Sequence, residues 1–380
     1  MKSRNSIFFS LLPLLFSASA IAQSSVTLYG IIDAGLTYAS NVGGNRLYQF
    51  GDGVNLGNRF GLKGKEDLGG GYSAMFTLEN GFTLGNGGLA FGNGTRIFGR
   101  QAYVGIGTPL FSVKLGSQYD FIFDYISEFS PGGYASGYAA HAGNLDRQAG
   151  ARLDNAIKIE SVEYRGLKFG GMYSFGNVAG DFHRGSGWSL GTHYSGSNFS
   201  AAATYTQLNN PSGINGFYPY AQLGIFSFLG QQVATRTGDS VTDLYPAGMS
   251  IDRQAIWELG AAYKLGKLTF SGNITATTLK GHGNQQTLQV YELGALYYAT
   301  PTILAIVGYD YERLTGSGVH WNQPAVGVFY FLSKNTSLLL AAAYQRASGN
   351  AVANQGSAWY FGPSSNHEQT TVRIGIEHFF

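Results

Sequence analysis

Cysteine is absent from this 380-residue chain, so neither a disulfide nor a thiolate-bound metal can hold its fold. Long apolar runs are missing too. Beyond the first 22 residues the longest, such as Leu338 to Tyr344, fall far short of the roughly 20 residues that a membrane-spanning helix needs. Charged residues make up only 12%, and neither sign dominates, with 24 Lys and Arg against 22 Asp and Glu. No polyanion-binding surface follows from that balance, so nucleic acid is excluded as a partner. The seven histidines are scattered and form no His-x-x-x-His or comparable ligand spacing. His193 therefore reads as a solvated, inward-facing strand residue and not a metal ligand. Glycine clusters such as Gly69-Gly70-Gly71 sit at turns and open no helix, which removes a phosphate loop. No cofactor is implied.

The N-terminus has the form of a cleavable secretory signal. Lys2 and Arg4 are its basic start, Ile7 to Phe16 its apolar core, and Ala20-Ile21-Ala22 a small-residue cleavage site, so residues 1–22 are expected to leave and the mature domain to run from Gln23 to Phe380. Cleavage would take two basic and no acidic side chains, leaving 22 of each sign.

What the chain has in quantity is aromatic side chains, 25 Tyr and 26 Phe, with 56 Gly. That mixture suits many strands, tight turns and aromatic belts at two membrane interfaces. Its hydrophobic pattern has period two. In Lys267 to Thr277, Leu268, Phe270, Gly272, Ile274 and Ala276 share one face and Thr269, Ser271, Asn273, Thr275 and Thr277 the other. The same alternation recurs in Ile303, Ala305, Val307, Tyr309 and Tyr311, with Asp310 and Glu312 interleaved. Using turn residues as punctuation, the strands fall at 25–38, 57–66, 71–83, 96–107, 110–118, 152–163, 167–175 and 187–196, then at 198–208, 254–265, 267–279, 287–299, 302–313, 322–333, 336–348 and 370–380. Short connections such as Thr108-Pro109 and Gly196-Ser197 alternate with long ones, notably 39–56, 119–151, 209–253 and 349–369. An all-β transmembrane antiparallel barrel of sixteen strands, with short periplasmic turns and long outer loops, accounts for these features together. The last strand places Val372, Ile374, Ile376, His378 and Phe380 on one face and can pair with the first to remove a lipid-exposed edge.

Several segments resemble the general porins of β-proteobacteria. Gln23 to Gly35 is similar to their first strand, Asn58 to Gly71 to their second strand and first turn, Gly99 to Gly105 to their fourth strand, and Arg152 to Lys158 to the strand after their inward-folded loop. The resemblance implies a homotrimer of diffusion channels in the outer membrane of a Gram-negative bacterium, among lipid and lipopolysaccharide, passing ions and small hydrophilic solutes. Terminal Phe380 is similar to the signal read by the outer-membrane assembly machinery. A further argument for a trimer is that strand 96–107, with Arg100 inward, would offer only Gln101, Tyr103 and Gly105 to its surroundings.

A barrel of sixteen strands is too wide to select by charge unless something narrows it. The resemblance assigns that task to the third loop, about Gln118 to Ala151, folded into the lumen with Asp120, Asp124, Glu128 and Asp146. It also maps a facing wall of arginines onto Arg59, Arg100 and Arg152. Alternation independently puts Arg59 with Lys63, opposite Phe60 and Leu62, and Arg152 with Lys158, opposite Leu153. Arg100 rests mainly on the resemblance. Ser117 departs from the arginine many relatives carry, and the loop tip lacks the acidic Pro-Glu-Phe turn of enterobacterial porins. Five cations against the loop acids imply a transverse field and a weak to moderate anion preference. Other functions compete: a substrate-specific channel, an outer-membrane enzyme, for which no nucleophile and base motif is marked, and an adhesive barrel using loop 209–253.

Overall fold

The computed structural model describes residues 25–90, 94–211, 223–245, 249–358 and 360–380. The expected signal, 1–22, lies outside the described residues. Sixteen antiparallel strands close into a barrel. The first eight are β1 (Ser25–Val42), β2 (Arg59–Gly69), β3 (Tyr72–Gly81), β4 (Gln101–Gly107), β5 (Phe111–Tyr119), β6 (Arg152–Ser161), β7 (Leu167–Ser174) and β8 (Gly187–Ser195). The rest are β9 (Phe199–Asn209), β10 (Arg253–Leu265), β11 (Leu268–Gly281), β12 (Asn284–Thr300), β13 (Ile303–Leu314), β14 (Val319–Phe331), β15 (Thr336–Ser348) and β16 (Glu368–Phe379). An extra strand, Asn45–Asp52, folds back on β1 as an outer hairpin.

Closure is made by β1, which pairs along its first half with β2 (Tyr29 with Gly61) and along its second with β16 (Leu36 with Ile374). Phe380 completes the seam. Its carbonyl accepts from the Gly30 amide at 2.9 Å, its own amide donates back at 3.1 Å, and its ring lies where a Cβ on Gly30 would stand. A closed ring leaves every strand paired, which hydrocarbon requires of a spanning sheet.

Alternation sorts the side chains as expected. On β11, Phe270 and Ile274 are 48% and 40% exposed on the outside, whereas Asn273 and Thr275 are 3% and 1% exposed and point inward. Val372, Ile374 and Ile376 likewise face out.

The largest departure is at β4, which starts at Gln101 and not at 96. The chain before it leaves strand geometry, so Arg100 and Gln101 do not alternate. Register then sets Gln101 beside Glu79 and Tyr103 beside Thr77, all on the lumen side, and the Thr77 hydroxyl donates to the Tyr103 hydroxyl at 3.0 Å. The outer surface of β4 is Val104 and Ile106, both exposed, with Ala102. This corrects the expected outward set of Gln101, Tyr103 and Gly105.

Candidate pore constriction

β5 is only nine residues long and ends at Tyr119 part-way up the barrel, so the chain turns into the lumen there. The following loop runs as short helical turns, Ile122–Ile126, Ser127–Phe129 and Pro131–Ala135, before returning to β6 at Arg152. It lies against the inner wall in a groove made by lumen-facing glycines on successive strands. A Cβ at Gly260 of β10 would stand 2.3 Å from the Phe129 ring, and one at Gly308 of β13 would stand 2.4 Å from the Gly132 amide nitrogen. Larger side chains there would hold the loop off the wall, and the lumen would have no room for both loop and pore.

Polar anchors fix the seat. Glu292 of β12 accepts from the Gly132 amide at 2.6 Å, and Glu312 of β13 accepts from the Ala142 amide at 2.9 Å. The Tyr138 hydroxyl hydrogen-bonds with the Thr37 hydroxyl at 2.8 Å. His141, fully within the protein, lies 2.5 Å from Asp146 and 3.1 Å from Glu292 through its two ring nitrogens. Burial alone would push the imidazole toward neutrality, but these two carboxylates outweigh it and raise its pKa well above the usual histidine range.

Opposite this loop, two arginines converge on one phenol, with a third beside them. Arg100 donates from Nη2 to the Tyr119 hydroxyl at 2.6 Å, and Arg152 does so from its own Nη2 at 2.7 Å, with its guanidinium 4.6 Å from the ring centre. The Arg152 Nε also donates to the Arg100 carbonyl at 3.0 Å. Arg100 is further held by Glu79, Nε to Oε1 2.8 Å, and the other Glu79 oxygen accepts from Tyr29 at 2.9 Å. The Arg59 Nε donates to the Gly57 carbonyl at 2.8 Å. A Cβ on Gly57 would stand 2.9 Å from Arg100 Nη1 and 4.0 Å from Arg59 Nη2, so the three cations form one cluster in which Arg100 is buried. Lys63, exposed to the lumen, sits 5.1 Å over the Tyr29 ring.

The acids expected on the loop are consumed in pairs. Asp120 is fully buried against Arg147, Nε to Oδ2 2.5 Å, and so lies behind the loop. Lys158, 2% exposed, donates to Asp124 and, at 3.0 Å, to the Tyr119 carbonyl, and its ammonium stands 4.3 Å from the Phe121 ring centre. Lys158 is thus an anchor under the loop and not a charge on the pore rim. Glu128 meets His193 of β8 at 2.5 Å, which places His193 in the lumen as expected. Among the described residues Arg59 and Lys63 make no ion pair.

Glu79 and Tyr119 were not singled out from sequence. Glu79 was within reach, since it shares the Thr77 face of its strand. Nothing local marks Tyr119, whose role depends on contacts from three other segments. The long connection between β9 and β10 also behaves differently from a projecting adhesive loop. Its described part turns inward, and Leu223, Ile225, Phe228, Leu229 and Ile251 pack on Leu279, Leu288, Val290 and Trp321 of the inner wall and on Leu145 of the third loop. Beyond that cluster Arg236 donates to the Ser365 carbonyl, so the connection reaches the loop before β16.

A closed barrel with an apolar outside, a charged lumen and a loop narrowing its middle defines a water-filled channel of the outer membrane. The model of the Gram-negative porin family matches residues 10–350, and the chain belongs to that family. It is 37% identical to an outer membrane porin protein of Bordetella pertussis over 42% of this chain and 45% of that one. It is 29% identical to outer membrane porin protein 32 of Delftia acidovorans over 96% of each chain. Among solved structures, an anion-selective porin from Comamonas acidovorans superimposes with a TM-score of 0.76 at 22% identity, covering 94% of this chain and all of that one. A trimer form of OmpT from Vibrio cholerae does so at 0.65 and 13% identity, covering 94% of this chain and 99% of that one. The family and these neighbours are channels.

Proposed function

We propose that this channel is a homotrimeric, passive diffusion pore whose narrowest part lies between Arg59, Arg100 and Arg152 and the loop bearing Asp124 and Glu128, and that it favours anions. The observation that carries this is the asymmetry of pairing. Asp120, Asp124 and Glu128 each have a cationic or histidine partner, and Glu79 pairs with Arg100, while Arg59, partly buried, and Lys63, exposed, make no ion pair among the described residues. Surplus positive charge in an aqueous constriction raises the local concentration of anions over cations, within the reach that salt screening allows. The anion-selective porin of Comamonas acidovorans has the same fold, which supports the reading.

The trimer is supported by membership of the porin family, and the outer surface of β1 to β4, where Leu28, Phe60, Leu62, Tyr72, Val104 and Ile106 are exposed, offers an apolar face for it. We further infer signal cleavage after Ala22, a rim that meets lipid and lipopolysaccharide, and recognition of the Phe380 strand by the assembly machinery. The test is Arg59→Gln combined with Arg152→Gln in planar bilayers. The zero-current potential in a salt gradient should move toward cation preference, and an unchanged value in a folded trimer would remove these arginines from the constriction.

A further inference from the structure

We propose that Tyr119 is a positioning residue for ion selection, a single phenol that sets the spacing of two like-charged guanidiniums and ties them to the root of the inward loop. The inference rests on the reading of the arginines as the selective surface. Arg100 and Arg152 both donate to the Tyr119 oxygen, at 2.6 and 2.7 Å, so their Nη2 atoms can be no farther apart than two hydrogen-bond lengths. Two cations in solution do not hold that separation unaided, because they repel and each gains more by finding its own anion. A phenol oxygen has two lone pairs and here accepts from two guanidinium N–H groups, so it adds a shared acceptor to the Arg152 Nε bond to the Arg100 carbonyl and to the Glu79 pair that holds Arg100 alone.

The phenol ring is itself tightly packed. It is 4% exposed, stacks on Phe123 at 4.0 Å between ring centres, and carries the Arg152 guanidinium 4.6 Å from its own centre. Its backbone is held just as firmly. Tyr119 is paired in register with Arg152, and its carbonyl accepts from Lys158 at 3.0 Å. The next residue, Asp120, starts the inward loop with its buried pair to Arg147. Tyr119 therefore joins the two sides of the constriction. A displacement of the loop root would be transmitted to both arginines, and the loop and the positive surface form one unit.

Tyr119→Phe tests this because it removes the oxygen and keeps the ring that stacks on Phe123. Purified trimers of the full chain are compared in planar bilayers with potassium chloride. With the shared acceptor gone, Arg100 and Arg152 separate, and the anion-to-cation permeability ratio should fall about two-fold as the positive surface disperses. The temperature at which the trimer dissociates in detergent should stay at the wild-type value. Adding Tyr119→Phe to Arg100→Gln and Arg152→Gln should produce no further change in the ratio, since the phenol acts only through those two groups. An unchanged ratio in Tyr119→Phe, when the arginine variants do shift it, would make Tyr119 a packing residue and overturn the inference alone. Arginine variants that leave the ratio unchanged would overturn the constriction itself. An equal fall in ratio and dissociation temperature would also count against positioning, because a structural defect moves both.

Discussion

Arg373 of β16 and Asp33 of β1 meet across the seam of the barrel, Nη2 to Oδ1 2.5 Å, and neither is exposed at all. Asp33 also accepts from the backbone amides of Asn55 and Leu56 at 2.8 and 3.1 Å, so one carboxylate ties the first strand, the last strand and the segment entering β2. Removing one partner of a buried pair strands the other charge, at a cost of about 3–5 kcal/mol. Asp33→Ala should therefore lower the unfolding temperature of the barrel sharply, read by heat-dependent migration in detergent gels. A wild-type transition would show that the seam relies on backbone pairing alone.

The glycine groove has its own test. At Gly308 a methyl would lie 2.4–2.5 Å from the Gly132 backbone, with no flexible side chain to yield. Gly308→Ala should push the loop off the wall at a cost of about 1–3 kcal/mol, the usual penalty of overpacking. Altered single-channel conductance with a larger spread between channels is the expected result, whereas conductance identical to wild type would mean that the loop does not bound the pore.

His141 makes the seat pH-dependent. Its pKa is raised in the folded chain by Asp146 and Glu292, with the carboxylates of Asp310 and Glu312 also facing it. The contribution is complete below the unfolded histidine value of about 6.5 and is lost as pH climbs through the raised folded value. Between pH 6 and pH 10 the wild-type unfolding temperature should thus fall more than that of His141→Gln. Parallel pH profiles would show that the imidazole does not carry the anchor.

Much of this was legible from period-two patterning. Phe60 and Leu62 opposite Arg59 and Lys63 on β2 told the lumen from the outside, and the alternation of Asp310 and Glu312 with Val307 and Tyr309 did so on β13. Alternation assigns a face, however, and not what stands across from it. Lys158 does face inward, but the loop above covers it and Asp124 neutralises it. Leu279, Leu288, Val290 and Trp321 are apolar on a face where water was expected, because the connection between β9 and β10 folds onto them from far away in sequence. At Arg100 the backbone leaves strand geometry, and period two fails where the strand does.

The corrected outer face of β4 yields a prediction about assembly. Val104 and Ile106 are 57% and 54% exposed in the single chain. If they lie between subunits, Val104→Asp with Ile106→Asp buries two unpaired charges, each costing several kcal/mol, and the unheated protein should run as a monomer in mild detergent. A trimer that survives both substitutions would place the interface elsewhere.

An aqueous pore with surplus positive charge at its narrowest point has a signature in the reversal potential of the wild-type protein in a potassium chloride gradient. Stepwise channels are expected, with a zero-current potential that has the sign of anion preference and shrinks toward zero near 1 M salt, where the screening length falls to about 3 Å. A potential of the opposite sign at low salt, or a folded protein that gives no conductance steps, would contradict the surplus positive charge or the pore itself.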